Sequence, residues 1–209
     1  MRKAVIDPMK LSRVAALCAT LALTAACNKN APTPPNFAGA IDTYYQAHPA
    51  CLWSSEKKFP IQAATSDDAK TQGYDALVDQ GLLTRTTSEK KIIIISRQEN
   101  NYDLSANGRS AWTADPSQPG YGNFCFGHPQ VTSIDSFNPN EGGAVQYSVN
   151  YHYGVSLPDW ANTPEMKTAF PSVTAQANGA PASATLIKNG DAWQVQNATS
   201  VSASSSTGQ

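Results

Sequence analysis

The sequence predicts an α+β protein, an N-terminal helical segment followed by a mainly antiparallel β-sheet sub-domain, and three observations carry that prediction. Apolar residues recur at helical spacing in two stretches before residue 81, each with its own start and stop signals. Between 145 and 157 every odd position is Val, Tyr or Leu, while the even ones are Gln, Ser, Asn, His, Gly and Ser, the period-two pattern of a strand with one buried face. Further on, Asn189-Gly190 separates two apolar runs, a strong short-range hairpin signal.

Taken in order, the chain opens on a basic start and an apolar run at 14–23 that closes on small residues before Cys27. This is the pattern of a secretory signal over residues 1–26, and the run falls short of the roughly 20 residues a membrane-spanning helix needs. Asp7 sits oddly in a basic leader, whereas Met9-Lys10-Leu11-Ser12-Arg13 makes a clean one, so translation is expected to start at Met9 rather than Met1. The stretch Leu23-Thr24-Ala25-Ala26-Cys27 resembles the lipobox of bacterial lipoproteins. That resemblance implies export, cleavage before Cys27 and lipidation of its sulfur. Asn28, where Asp would retain such a protein in the inner membrane, implies the outer membrane, facing the periplasm or the cell surface. Residues 27–35, with three prolines, then read as a lipidated flexible tether.

Loss of residues 1–26 removes four bases and one acid, leaving 11 bases against 15 acids and a net charge of about −4. Nucleic acid is excluded as a partner on that balance, because phosphate neutralisation supplies most of such affinity. Of four cysteines, Cys18 leaves with the signal and Cys27 takes the lipid. Cys51 and Cys125 remain, and in an oxidising compartment the simplest expectation is one disulfide. The competing reading pairs Cys125 with His128 in a catalytic or metal site. A metal needs three or four ligands, and His48 and His152 are the only other histidines, so no metal and no cofactor are expected.

Phe37, Ile41, Tyr44 and Tyr45 recur at helical spacing behind Asn36 as N-cap, predicting a helix that ends before Pro49; 50–64 reads as irregular. Ser66-Asp67-Asp68 starts a second helix with apolar Ala69, Tyr74, Leu77 and Val78, stopped by Gly81. The four isoleucines within 91–96 predict a buried or central strand. A turn at 98–101 then lets 102–104 pair back, and Ser105 caps a short helix.

Residues 76–85, with Gly81-Leu82-Leu83, and Tyr102-Asp103-Leu104-Ser105-Ala106-Asn107-Gly108 resemble the recognition helix, wing and following helix start of winged-helix proteins. The resemblance, over 70–112, implies a winged-helix-like architecture for the helical segment at 36–114. It does not bring DNA binding with it, because Asp67, Asp68, Asp75 and Asp79 stand where a DNA reader places bases.

The Pro/Gly stretch 115–122 is expected to separate that segment from the β sub-domain at 123–197. There, strands are predicted around Phe124 and Phe126, over 131–137 after which 138–143 turns, over 145–157 with Gly154 allowing a bend, and over 184–188 and 192–195. Asn162-Thr163-Pro164-Glu165 starts a short helix through Phe170. His152 falls on the polar face of its strand, and Trp160 reads as a plug at a sheet end rather than a sugar platform. The Ser/Thr/Ala-rich 198–209 predicts a disordered tail.

No nucleophile elbow, metalloprotease helix, phosphate loop or dinucleotide fingerprint occurs. The expected function is therefore a non-catalytic, membrane-anchored lipoprotein presenting a binding or scaffold surface to an envelope protein or glycan. The alternatives are a periplasmic hydrolase with a dispersed site, for which His128 or His152 would be the base, and an inhibitor or immunity-type lipoprotein.

Overall fold

The computed structural model describes residues 30–92, 95–141 and 145–200, with the side chains of 90–92, 95 and 200 outside the description. Leu23, Thr24, Ala25, Ala26 and Cys27 lie outside the described residues, as do 201–209. Mixed helices and antiparallel sheets make the chain α+β.

The first helix, α1, spans Pro34–Ala47 with Thr33 as N-cap, so order begins earlier than Asn36. Proline is tolerated in a first turn because the amides there have no intrahelical partner anyway, and the tether expected through residue 35 therefore loses its last two residues to the helix. Asn36 uses its side-chain Nδ2 to donate to the Ala31 carbonyl instead of capping. Three short strands follow where an irregular stretch was expected: β1, Ala50–Cys51; β2, Lys57–Lys58; and β3, Ile61–Ala64. Their pairing partners lie up to 77 residues away along the chain, which no local pattern encodes. The second helix, α2, spans Asp68–Asp79, and the Asp67 carboxylate accepts from the Lys70 amide at its start. Leu77 is fully buried, whereas Ala69, expected on the same face, is exposed.

Next come β4, Leu83–Ile92, and β5, Ile95–Leu104, in an antiparallel ribbon with Lys91 opposite Ser96 and Ile92 opposite Ile95. The isoleucine run thus spans the reversal between two strands instead of forming one, and 98–101 lies inside β5. Local pattern misleads here because no Gly, Asn or Pro marks the reversal. The short helix α3, Ala106–Ala111, is capped by Ser105, whose Oγ accepts from the Gly108 amide. A Cβ at Gly108 would overlap the Leu82 carbonyl oxygen, so this helix can lie against the end of α2 only with glycine there.

The strands β6, Trp112–Ala114, and β7, Tyr121–Gly127, pair with each other, so 115–120 is the connection of a hairpin and not a boundary, and the last two residues of the expected linker, Tyr121 and Gly122, lie in β7. β7 also pairs with β1 and β2, so the segments expected to stand apart share a sheet. Asn123 completes that edge as a backbone would: its Oδ1 accepts from the Trp53 amide and its Nδ2 donates to the Trp53 carbonyl.

The second half of the chain holds β8, Gln130–Pro139; β9, Gln146–Gly154; β10, Ala180–Asn189; and β11, Ala192–Ser200, in the order β11-β10-β9-β8. Tyr147, Val149, Tyr151 and Tyr153 of β9 face inward, as their alternation predicts. In the β8–β9 pairing the register shifts fall on β8, between Val131 and Ser133 and between Ile134 and Ser136, and not at Gly154. Gly190, at φ +59°, supplies the left-handed turn between β10 and β11. Residues 198–200, expected in the tail, extend β11 opposite 182–184. Between β9 and β10 lie a 3-10 turn at Asp159–Ala161 and two short helices, α4 at Pro164–Ala169, capped by Thr163, and α5 at Pro171–Ala177, which local signals did not announce.

Two aromatic groups fill the core. Phe124 meets Trp53, Trp112 and Trp160 with ring centroids 5.0–6.1 Å apart, which gives Trp160 a packing role. Phe37 of α1 meets Phe137, Tyr147 and Trp193 at 5.1–5.3 Å. Between them, Tyr45 and Tyr151 share a 2.7 Å hydroxyl contact beside Tyr153. Burial, and to a lesser degree Tyr45, pushes the Tyr153 phenol up to about 12. Tyrosine in an unfolded chain ionises near 10, so the unfolded state loses its proton first. Stability from this group is complete below about pH 10 and declines by about 1.4 kcal/mol per pH unit as the pH rises toward 12. Tyr153→Phe is expected to flatten the alkaline fall in urea-unfolding free energy by that slope; an unchanged slope would show that Tyr153 ionises freely in the fold.

Candidate functional site

An open groove of about 660 Å³ runs between α2 and α4. Asp68, Gln72, Asp75 and Asp79 line one wall at spacings of three and four residues, which sets them on one helix face. Glu165 and Thr168 of α4 form the other wall. The two helices meet because Thr163 and Pro164 start α4 where Phe170, at its end, packs against Gly73 of α2. Asp75 is the engaged acid. Its Oδ1 accepts from Arg85 Nη1 at 2.8 Å and from the Tyr102 hydroxyl at 2.8 Å. Asn100 Nδ2 donates to that hydroxyl at 3.1 Å, and Thr87 Oγ1 donates to Asn100 Oδ1. Burial first, then the bond to Asp75, raises the Tyr102 phenol, and the same carboxylate raises the Arg85 guanidinium. Among the described residues no ion pair engages Asp68, Asp79 or Glu165. The groove thus offers carboxylates and hydroxyls toward a cationic or hydrogen-bonding partner.

A second polar surface covers the outer face of the β11-β10-β9-β8 sheet. Across the strands run two registered rows, Thr199, Ser183, Asn150, Ser136 and Asn197, Thr185, Ser148, Asn138, all hydroxyls or amides without charge. A shallow trough of about 220 Å³ lies between β9, β10 and β11.

The residues singled out from the sequence fall as follows. Cys51 and Cys125 stand opposite each other in β1 and β7 with their sulfurs bonded at 2.05 Å. Cys125 is therefore not a thiol partner for His128, whose Nδ1 lies 2.9 Å from the Tyr45 carbonyl oxygen. His48 places Nδ1 2.8 Å from the Tyr44 carbonyl and stacks on that residue's ring. His152 sits on the polar face of β9 with Nδ1 2.7 Å from Asp135 Oδ2. Ser133 Oγ donates to the other oxygen of that carboxylate and not to the imidazole, so the three do not form a proton relay. Among the described residues no three His, Cys, Asp or Glu side chains group closely enough to hold a metal ion, and no helix is long and apolar enough to cross a membrane.

In the sequence Asp67 and Asp68 read as a helix start and the α2 acids as grounds against DNA binding, and neither reading points to the groove. The signal was present as the i, i+4, i+7, i+11 recurrence of Asp68, Gln72, Asp75 and Asp79. The opposite wall, Glu165, comes from 86 residues beyond Asp79 and carries no such signal. No family model, curated protein or solved structure matches the chain.

Proposed function

We propose that this is an exported lipoprotein, lipid-anchored through Cys27 to the outer membrane after loss of the signal at 1–26, and that it acts without catalysis by presenting a binding surface to an envelope partner. The observation that carries the binding reading is the α2–α4 groove, which gathers Asp68, Asp75, Asp79 and Glu165 in an open cleft without a histidine or cysteine in its lining. The bonded Cys51 and Cys125 support an oxidising compartment, where such bonds persist. Several acyl chains on one residue would make desorption negligible, at about 0.8 kcal/mol per buried methylene. Within this reading, 70–112 is a winged-helix-like module turned to protein or glycan contact. In support, α2, the β4–β5 ribbon and α3 follow one another in the order the resemblance implies.

Two measurements test the proposal. An alkynyl fatty acid should label the wild-type protein in cells and leave Cys27→Ala unlabelled; equal labelling of both ends the anchor. A photo-cross-linker at Gln72 or Thr168, inside the groove, should capture a discrete partner that Asp79→Lys with Glu165→Lys weakens at least about tenfold, which is roughly 1.4 kcal/mol. A capture that survives the double reversal removes the groove from the function.

A further inference from the structure

The first described residues do not trail away from the body. Asn30 Nδ2 donates to Asp191 Oδ1 at 2.9 Å. The Ala31 carbonyl accepts from the Trp193 indole at 3.3 Å, from the Asn36 side chain at 2.9 Å and from the Thr33 amide at 2.9 Å. The chain is thereby fixed to the turn between β10 and β11, and only Asn28 and Lys29 separate Cys27 from Asn30. Three residue steps of at most about 3.6 Å each give a reach of roughly 11 Å. A bilayer's headgroup layer is itself about 5–7 Å deep on each side, so a lipid on Cys27 leaves no room for an aqueous gap of more than a few ångströms.

An independent feature marks the same end. Val145, 59% exposed, is the most exposed large apolar residue among those described. Its carbonyl accepts from the Lys188 amide at 2.8 Å, which places it beside the β10–β11 turn. Charges at this end are mixed, with exposed Lys188 and Glu141, while Asp191 is engaged by Asn30. Net electrostatic attraction is therefore small, and a lone valine adds only a minor apolar contact.

We infer that the end of the β11-β10-β9-β8 sheet formed by Val145, Lys188, Asn189, Gly190 and Asp191 is the face that rests on the lipid headgroup layer. This deepens the lipoprotein reading and rests on it. With Asn30 and Ala31 held at the β10–β11 turn, at most about 11 Å of chain is left between the lipid and the domain, which keeps this end toward the membrane.

The test uses the full-length lipidated protein in phosphatidylethanolamine and phosphatidylglycerol vesicles that carry a lipid-borne quencher. An environment-sensitive fluorescent amino acid is placed in turn at Val145, Asn189 and, as reference, Gln72. Quenching at Val145 and Asn189 is expected to exceed that at Gln72 at least about threefold. Inserting about ten Gly/Ser residues between Asn28 and Lys29, a flexible span of roughly 17 Å, should abolish the difference while the protein still floats with the vesicles. Flotation of the original protein with equal quenching at all three positions overturns the orientation and leaves the anchor standing. Failure of the lipidated protein to float overturns the anchor and the orientation together.

Discussion

Replacing Cys51 and Cys125 together by alanine is expected to lower the unfolding free energy by about 4 kcal/mol, because the bond closes a loop of 74 residues that the unfolded chain would otherwise explore freely. The bond joins β1 to β7, the strand that also carries β2 and β6, so it ties the segment after α1 to the central strand of that sheet. Both cysteines sit at facing register positions in an antiparallel pair, where alanine fits the strands without new strain. Urea unfolding of the oxidised protein and of the double variant measures the difference directly. The variant should also show a larger denaturant slope, since its unfolded state exposes more surface. A loss below about 1 kcal/mol would mean that pairing through β7 already restrains the unfolded chain, and the loop-closure account would fail.

Phe37→Ala is expected to cost roughly 3–5 kcal/mol, the range for deleting a buried aromatic side chain and leaving a cavity. Phe37 is fully buried and lies at the centre of three rings, Phe137 of β8, Tyr147 of β9 and Trp193 of β11. It packs α1 against the β11-β10-β9-β8 sheet. The loss should appear both globally, in urea unfolding, and locally, as faster hydrogen exchange along 34–47. Exchange that accelerates throughout the chain but no more in α1 than elsewhere would show that the helix does not depend on this contact. Phe37→Leu, which keeps most of the apolar volume, should recover more than half of the stability.

The elements most legible in the sequence were those whose information is local. The Ser66-Asp67-Asp68 start of α2, whose cap is Asp67 and not Ser66, its Gly81 stop, the Ser105 cap, the Asn162–Glu165 start of α4, the alternation along β9 and the Asn189-Gly190 turn each depend on residues within one element or its ends. Periodicity does not say where a strand reverses when the turn lacks a turn residue, and so the isoleucines read as one strand although Lys91 faces Ser96 across a hairpin. Nor does a Pro/Gly stretch distinguish a linker from a hairpin connection, since both need residues that leave regular structure. The stretch 115–120 is a hairpin connection because β6 pairs with β7, where Trp112 stands opposite Phe124 and packs on its ring.

The sequence by itself determined the α+β class, the pairing expectation for Cys51 and Cys125 and the acidic stripe of α2, because composition, cysteine count and helical spacing are properties of the chain before it folds. Only the tertiary structure decided that Glu165 completes a groove with that stripe and that Asn30 and Ala31 are held at the β10–β11 turn. Both join residues far apart in the chain, and such contacts form when buried aromatic and aliphatic area brings whole elements together, a balance that no short window of sequence contains.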